Sequence, residues 1–310
     1  MSCFHPLHGY KSKNNGKWLS ESSVSLNHNL EPLTIPCRQC AGCRAEYSRQ
    51  WAMRIIHEAS LHLHNSFITL TYNDEHLPAF NTLIKRDFQL FMKRLRKAHP
   101  EKKIRFYHCG EYGDNFGRPH YHAILFNHHF HDQTKIKGKH KDLYTSQSLI
   151  KLWSNPETKK SMGHVSIGTV NFETAAYVAA YVQKKINGKL KPEHYKIDKP
   201  LDKSTGEYLS HRQQEYATMS RRPGIAGHWF TKHYKDAYPS DFITVKGKKM
   251  KPPKYYDRLY EILYPSDMEN IKKNRMEAME KLSHLFTPEA LKQKELHFKA
   301  KMALYKRNKL

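Results

Sequence analysis

The chain reads as an α+β protein, a largely antiparallel sheet with helices packed on one face and a charged helical tail behind it. Three observations predict this. Helical and extended hydrophobic periods alternate in the order helix, strand, helix, strand, strand, helix, strand, helix. Gly110, Gly113, Asn115 and Gly117 lie between two strand-like runs, which makes those runs an antiparallel hairpin. Lys251-Pro252-Pro253-Lys254 then breaks the pattern, and only helix signals follow.

The elements follow in order. Residues 1–36 are polar and irregular. Residues 45–64 predict a helix with Ala52, Ile55, Ile56, Ala59 and Leu63 on one face. Residues 67–72 are apolar and β-branched, a strand, and Asn73-Asp74-Glu75 ends it. Residues 85–98 form a helix with Phe88, Phe91, Met92 and Leu95 as its apolar stripe. Residues 104–108 and 120–126 are the two strands of the hairpin. The His-rich, basic stretch 130–144 is a loop, and 146–153 a short helix. A strand at 164–170 leads into a helix at 172–186, then a charged connection over 189–214. Residues 219–224 form a loop, 228–238 a helix and 242–245 a last short strand. In the tail, Ser266 and Glu269 have capping-box spacing, and Pro288 suits a first helical position.

Composition narrows the function. Among 310 residues, 53 are Lys or Arg and 29 Asp or Glu, a net charge of +24. Such an excess calls for a polyanion, and nucleic acid comes first. The 19 tyrosines and 14 phenylalanines beside those cations suit stacking on unpaired bases. The longest apolar run, residues 175–182, falls far short of the ~18 residues that span a bilayer. Residues 1–10 lack the charged start and apolar core of a signal peptide, so an intracellular protein is expected. Of five cysteines, Cys37, Cys40 and Cys43 are spaced for metal binding rather than for a disulfide framework. Three thiolates would share a zinc ion with a fourth ligand, Cys3 or His5; the alternative is reduced cysteines in a turn.

Two constellations carry chemistry. His120 and His122 are two apart on a strand and point to the same face, where they would meet a metal ion. Glu111, across the hairpin, is the best third ligand, ahead of Asp114 and Glu58. Imidazole with carboxylate suits Mn²⁺ or Mg²⁺, which would polarise a phosphoryl oxygen. Tyr177 and Tyr181 are four apart on one helical face, with Lys184 and Lys185 following on it, while Ala175, Val178, Val182 and Ile186 form a separate apolar stripe. A phenol ionises at about pH 10, and neighbouring cations favour the nucleophilic phenolate. Arg221 and Arg222, before Pro223-Gly224, suit a nucleic-acid backbone, and the basic stretches 135–141 and 246–254 strengthen non-specific binding.

Arg118-Pro119-His120-Tyr121-His122 with Tyr177-x-x-x-Tyr181-x-x-Lys184-Lys185 resembles the His-hydrophobic-His endonucleases with two catalytic tyrosines. The chain resembles more closely the replication initiation proteins of microviruses, in the gokushovirus group of single-stranded DNA phages. Further stretches carry the likeness: Pro36-Cys37-x-x-Cys40-x-x-Cys43-Arg44, Ser48-Arg49-Gln50-Trp51-Ala52, Phe67-Ile68-Thr69-Leu70-Thr71-Tyr72, Asp87-Phe88-Gln89-Leu90-Phe91-Met92-Lys93, Ser220-Arg221-Arg222-Pro223-Gly224 and Lys251-Pro252-Pro253. The resemblance implies an about five-stranded sheet with the His pair on a central strand. It implies rolling-circle initiation at a single-stranded origin: a nick, a 5′-phosphotyrosine link, and a second tyrosine that cuts the regenerated origin. Carried over by position, His120 and His122 are metal ligands, with Glu111 in some relatives. Tyr177 and Tyr181 are nucleophiles, and Lys184 and Lys185 contact the scissile phosphate.

The expected domains are an N-terminal segment (1–44), an endonuclease domain (45–250) and a basic helical tail (251–310). No Walker A loop is present, so unwinding would fall to a host helicase and synthesis to a host polymerase, in the host bacterial cytoplasm with no membrane partner. A transposase or plasmid relaxase shares the chemistry. From another class, a non-catalytic nucleic-acid-binding or packaging protein explains the charge and the aromatics but not the paired histidines and tyrosines.

Overall fold

A computed structural model describes residues 3–24, 29–113, 117–137, 142–181, 191–197, 201, 206 and 208–307; for Tyr181 and residues 305–307 it describes the backbone alone. The chain divides into two compact units, residues 1–47 with 257–310, and residues 48–256.

The smaller unit opens with three short strands, β1 (Gly9–Ser12), β2 (Trp18–Ser20) and β3 (Leu30–Pro32), paired antiparallel in the order β2-β1-β3. The N-terminal segment is therefore not irregular: strands of three and four residues are too short to show a hydrophobic period. Helix α1 (Ala41–Ala59) crosses the boundary between the units. It ends before Leu63, which is 96% exposed and not part of its apolar face.

In the larger unit follow β4 (Asn65–Thr71), α2 (Lys85–Ala98), β5 (Arg105–Tyr112), β6 (Pro119–Phe126), β7 (Gln133–Lys135), β8 (Tyr144–Ser146), α3 (Gln147–Leu152), β9 (Val165–Gly168), α4 (Phe172–Tyr181), α5 (Lys191–Tyr195), β10 (Tyr216–Met219), α6 (Gly227–His233), β11 (Ile243–Val245) and β12 (Lys248–Met250). Seven of these strands form one antiparallel sheet, in the order β10-β5-β6-β4-β9-β8-β7. The sheet has seven strands, not about five. The additions are short edge strands: β7 and β8 lie in or beside the stretch read as a loop, and β10 overlaps the start of the loop expected at 219–224. The strand expected at 242–245 forms, but β11 pairs only with β12 in a separate hairpin.

Helices cover both faces of the sheet rather than one. On one face, Ile68, Leu70 and Tyr72 with Tyr121, Ala123 and Leu125 pack against Phe88, Phe91, Met92 and Leu95 of α2 and Leu149 of α3. On the other, Phe67, Tyr107, Cys109, Ile124 and Phe126 pack against Ala52 and Ile55 of α1 and Ala175 and Val178 of α4. The unbroken apolar run Ala123-Ile124-Leu125-Phe126 has this cause, since a strand buried on both sides needs apolar residues at every position.

An ion pair ties α1 to the sheet. Buried Glu58 accepts from Arg105 Nε at 2.5 Å and from the Ala226 amide at 2.6 Å, and Arg105 Nη2 donates to the Pro223 carbonyl at 2.8 Å. Arg54 Nη2 adds a 3.0 Å bond to the Ile225 carbonyl. Burial raises the Glu58 carboxyl, but bonds from His62, Ala226 and Arg105 outweigh it and hold the group below its ordinary range. Glu58→Ala would strand the Arg105 charge and release the 223–226 turn. We expect a loss of ~3–5 kcal/mol in urea unfolding, the usual cost of breaking a buried pair.

The chain returns to the smaller unit through α7 (Lys254–Leu263), α8 (Pro265–Glu280) and α9 (Pro288–Arg307). The capping box expected at Ser266 does not form, because α8 begins one residue earlier on Pro265, whose fixed φ and missing N–H suit a first turn. Arg275 grips Asp257 through two 2.9 Å bonds, and Phe298 of α9 stacks on Phe4 at 5.7 Å between centroids.

Candidate metal and tyrosine site

The site lies on the α1/α4 face of the sheet, and strand register builds it. In the β5–β6 ladder Glu111 stands opposite His120 and Cys109 opposite His122; in the β4–β6 ladder Thr69 stands opposite His122 and Thr71 opposite His120. Alternation therefore brings Glu111, His120 and His122 to one spot on a central strand and its neighbour. Glu111 Oε1 lies 2.9 Å from His120 Nε2 and 3.2 Å from His122 Nε2. Glu111 is 1% exposed and His122 4%.

Hydrogen bonds set the imidazoles for ligation. His120 Nδ1 faces the Arg118 carbonyl at 3.0 Å, and a carbonyl only accepts, so Nδ1 carries the proton. The Nε2 lone pair of neutral His120 then faces a carboxylate oxygen, an opposition of acceptors that a cation relieves. His122 Nδ1 is held by Thr69 Oγ1 at 3.0 Å, leaving its Nε2 on the same spot. Burial pushes the Glu111 carboxyl up, but hydrogen bonds and charge from His120 and His122 prevail and hold it down to about 2. It is ionised throughout the neutral range. Two imidazole nitrogens and one carboxylate oxygen within 4.8 Å of one another fit a divalent ion.

Thr69 escaped the sequence reading, although alternation along Phe67-Ile68-Thr69 puts it on the His face. Thr69→Val keeps its shape and removes the bond to His122. The expected result is Mn²⁺ binding weakened about 10- to 100-fold by titration calorimetry, as for other residues that orient a metal ligand.

Tyr177 completes the site. Ala175, Val178 and Ala179 seat α4 on the sheet, which turns Tyr177 toward the histidines. Its ring meets that of His122 edge-on, with centroids 5.5 Å apart, and that of Phe67 at 6.4 Å. At 43% exposed it remains open to a substrate. Tyr181 is the last residue of α4, and its side chain lies outside the described residues. So do Lys184, Lys185, Val182, Ile186 and Asp114.

Other predicted residues lie elsewhere. Glu58 is committed to Arg105. Arg221 and Arg222 are exposed, and they follow Ser220, whose amide bonds the Phe106 carbonyl. That is the opposite end of β5 from Glu111, some five residues or ~17 Å along the strand. Cys3, Cys37, Cys40 and Cys43 gather in the smaller unit with sulfurs within 4.8 Å of one another; His5 instead pairs with Glu295 at 2.9 Å. Cys109 is a buried strand residue. No helix among the described residues is long and apolar enough to cross a membrane.

Comparison with known proteins bears on this arrangement. The family model for the ORF2 class of replication-associated protein matches residues 65–186, from β4 through the tyrosine helix. Replication-associated protein VP4 of Bdellovibrio phage phiMH2K is 28% identical over 267 residues, covering 83% of this chain and 76% of the relative. Replication-associated protein ORF2 of Spiroplasma virus 4 is 32% identical over 285 residues, 83% of this chain and 80% of the relative. Replication-associated protein ORF4 of Chlamydia phage 1 is 30% identical over 253 residues, 78% and 58%. No solved structure matches the chain. On these likenesses the chain belongs to the replication-associated proteins of the gokushovirus-like phages.

Proposed function

We propose that this protein starts rolling-circle replication by nicking the origin strand of phage DNA, with a tyrosine of α4 as nucleophile. The observation that carries the reading is the Tyr177 ring standing 5.5 Å from that of His122, beside the convergent Glu111, His120 and His122. Nucleophile and metal ligands are thus held by two elements, a helix and a central strand, whose packing fixes their separation.

A Mg²⁺ or Mn²⁺ ion held by Glu111, His120 and His122 would polarise a non-bridging phosphate oxygen and offset its charge. Tyr177 Oη attacks the scissile phosphorus and loses its proton to solvent. The bond from phosphorus to the 3′ oxygen breaks, and that oxygen leaves as a 3′ hydroxyl able to prime synthesis. The new tyrosine–phosphate ester keeps the 5′ side of the strand on the protein. Tyr181, one turn further along α4 or ~6 Å, would repeat the reaction on the regenerated origin. Lys184 and Lys185 would neutralise the scissile phosphate, and Arg221 and Arg222 would hold the backbone farther along the strand. A host helicase and polymerase would supply unwinding and synthesis in the host cytoplasm.

The test uses single-stranded origin-type oligonucleotides, labelled at either the 5′ or the 3′ end, incubated with Mn²⁺ and run on a denaturing gel. The expected product is a protein band carrying only the 3′-labelled fragment, absent with EDTA. Oligonucleotides that bind and are never cut would leave only a binding or packaging role.

A further inference from the structure

Four cysteines take no part in the chemistry above, and their geometry is specific. Cys3 Sγ lies 3.6 Å from Cys37 Sγ and 4.0 Å from Cys40 Sγ. A disulfide requires about 2.05 Å, and all four thiols are free. Thiolates placed tetrahedrally at ~2.3 Å around one zinc ion stand about 3.8 Å apart, and the two distances bracket that edge. An iron–sulfur cluster puts an inorganic core between its thiolates and holds them farther apart.

The backbone is shaped to the same end. Arg38 has φ of 61°, a left-handed conformation uncommon outside glycine, and it sits in the turn that brings Cys37 and Cys40 together. Four amides point at the sulfurs: Cys37 N–H at Cys3 Sγ (3.3 Å), Phe4 N–H at Cys40 Sγ (3.3 Å), Cys40 N–H at Cys37 Sγ (3.4 Å) and Cys43 N–H at Cys40 Sγ (3.5 Å). Cys43 lies in the first turn of α1, where the helix end favours negative charge. Amides aimed at sulfur favour the thiolate, the form a metal needs.

We propose that Cys3, Cys37, Cys40 and Cys43 hold one structural zinc ion that fastens the N-terminal segment to the start of α1. Four protein ligands leave no open position, which marks a structural rather than a catalytic site. The same segment meets α9 through Phe4 on Phe298 and His5 on Glu295, so the ion would set how residues around 3–5 dock on the C-terminal helix. The site is independent of the nicking chemistry.

Metal analysis of the full-length protein, purified without added metal or chelator, tests this. The expected content is about one zinc per chain, retained in His120→Ala/His122→Ala and in Cys109→Ser, and lost in Cys40→Ser together with faster proteolysis of residues 3–36. Should Cys40→Ser fail to fold, wild-type protein stripped of metal and given Co²⁺ decides: the strong visible bands of tetrahedral thiolate-bound cobalt are expected. The proposal is overturned by folded wild-type protein with all four thiols reactive and no zinc, by iron in place of zinc, or by cobalt spectra without thiolate bands.

Discussion

Tyr177→Phe with Tyr181→Phe is expected to abolish covalent attachment to single-stranded DNA and to slow nicking by about 10³-fold or more, the scale on which enzymes lose a nucleophile. Binding should change by less than about threefold, because phosphate contacts supply most of the affinity and the double variant retains every Lys and Arg. The single variants separate the roles. Tyr177, whose ring already stands against His122, should account for the larger loss in the first cut. Single-turnover nicking and a filter-binding isotherm on the same oligonucleotide measure both quantities. Binding lost in parallel with nicking would mean that the tyrosines hold DNA rather than attack it.

Glu111→Gln removes the carboxylate charge at nearly constant shape, and should cut nicking about 10²- to 10³-fold, matching the several kcal/mol that a correctly held divalent ion contributes. Added Mn²⁺ should restore part of it. The same substitution makes a stability prediction in EDTA. The Glu111 carboxyl is held down to about 2 in the folded protein, below its ordinary value near 4.5. A depressed carboxylate contributes stability that is complete above the ordinary value and disappears as pH falls through the folded one. The advantage of wild type over Glu111→Gln should therefore be full at pH 6, up to about 3 kcal/mol, and should shrink between about pH 4.5 and 2. Urea midpoints at several pH values measure it, and a pH-independent difference would show that packing rather than charge accounts for the loss.

The site was more legible in the sequence than the fold around it. A residue spacing of two on an apolar strand suffices to put His120 and His122 on one face, and the glycine-rich turn between β5 and β6 brings Glu111 back to them. Helical spacing separates Tyr177 from the buried stripe of Ala175 and Val178. These inferences need only local periodicity. The edge strands β7, β8 and β10 have three or four residues each and show none; their place comes from pairing with partners far along the chain. The small N-terminal sheet escaped for the same reason. The second helical layer was present in the sequence, in the unbroken run Ala123 to Phe126, but such a run does not say which helices cover it. Thr69 was missed because its role depends on register across two strands, which only the paired sheet supplies.

The most direct measurement is mass spectrometry of the trypsin-digested protein–DNA adduct after nuclease trimming. A nucleotide ester on the tryptic peptide 161–184 is expected, located on Tyr177 or Tyr181 by fragmentation and shifted between them in the single Phe variants. An adduct on any other residue, or nicked DNA with a free 5′ phosphate and no adduct at all, would contradict tyrosine-mediated initiation at this site.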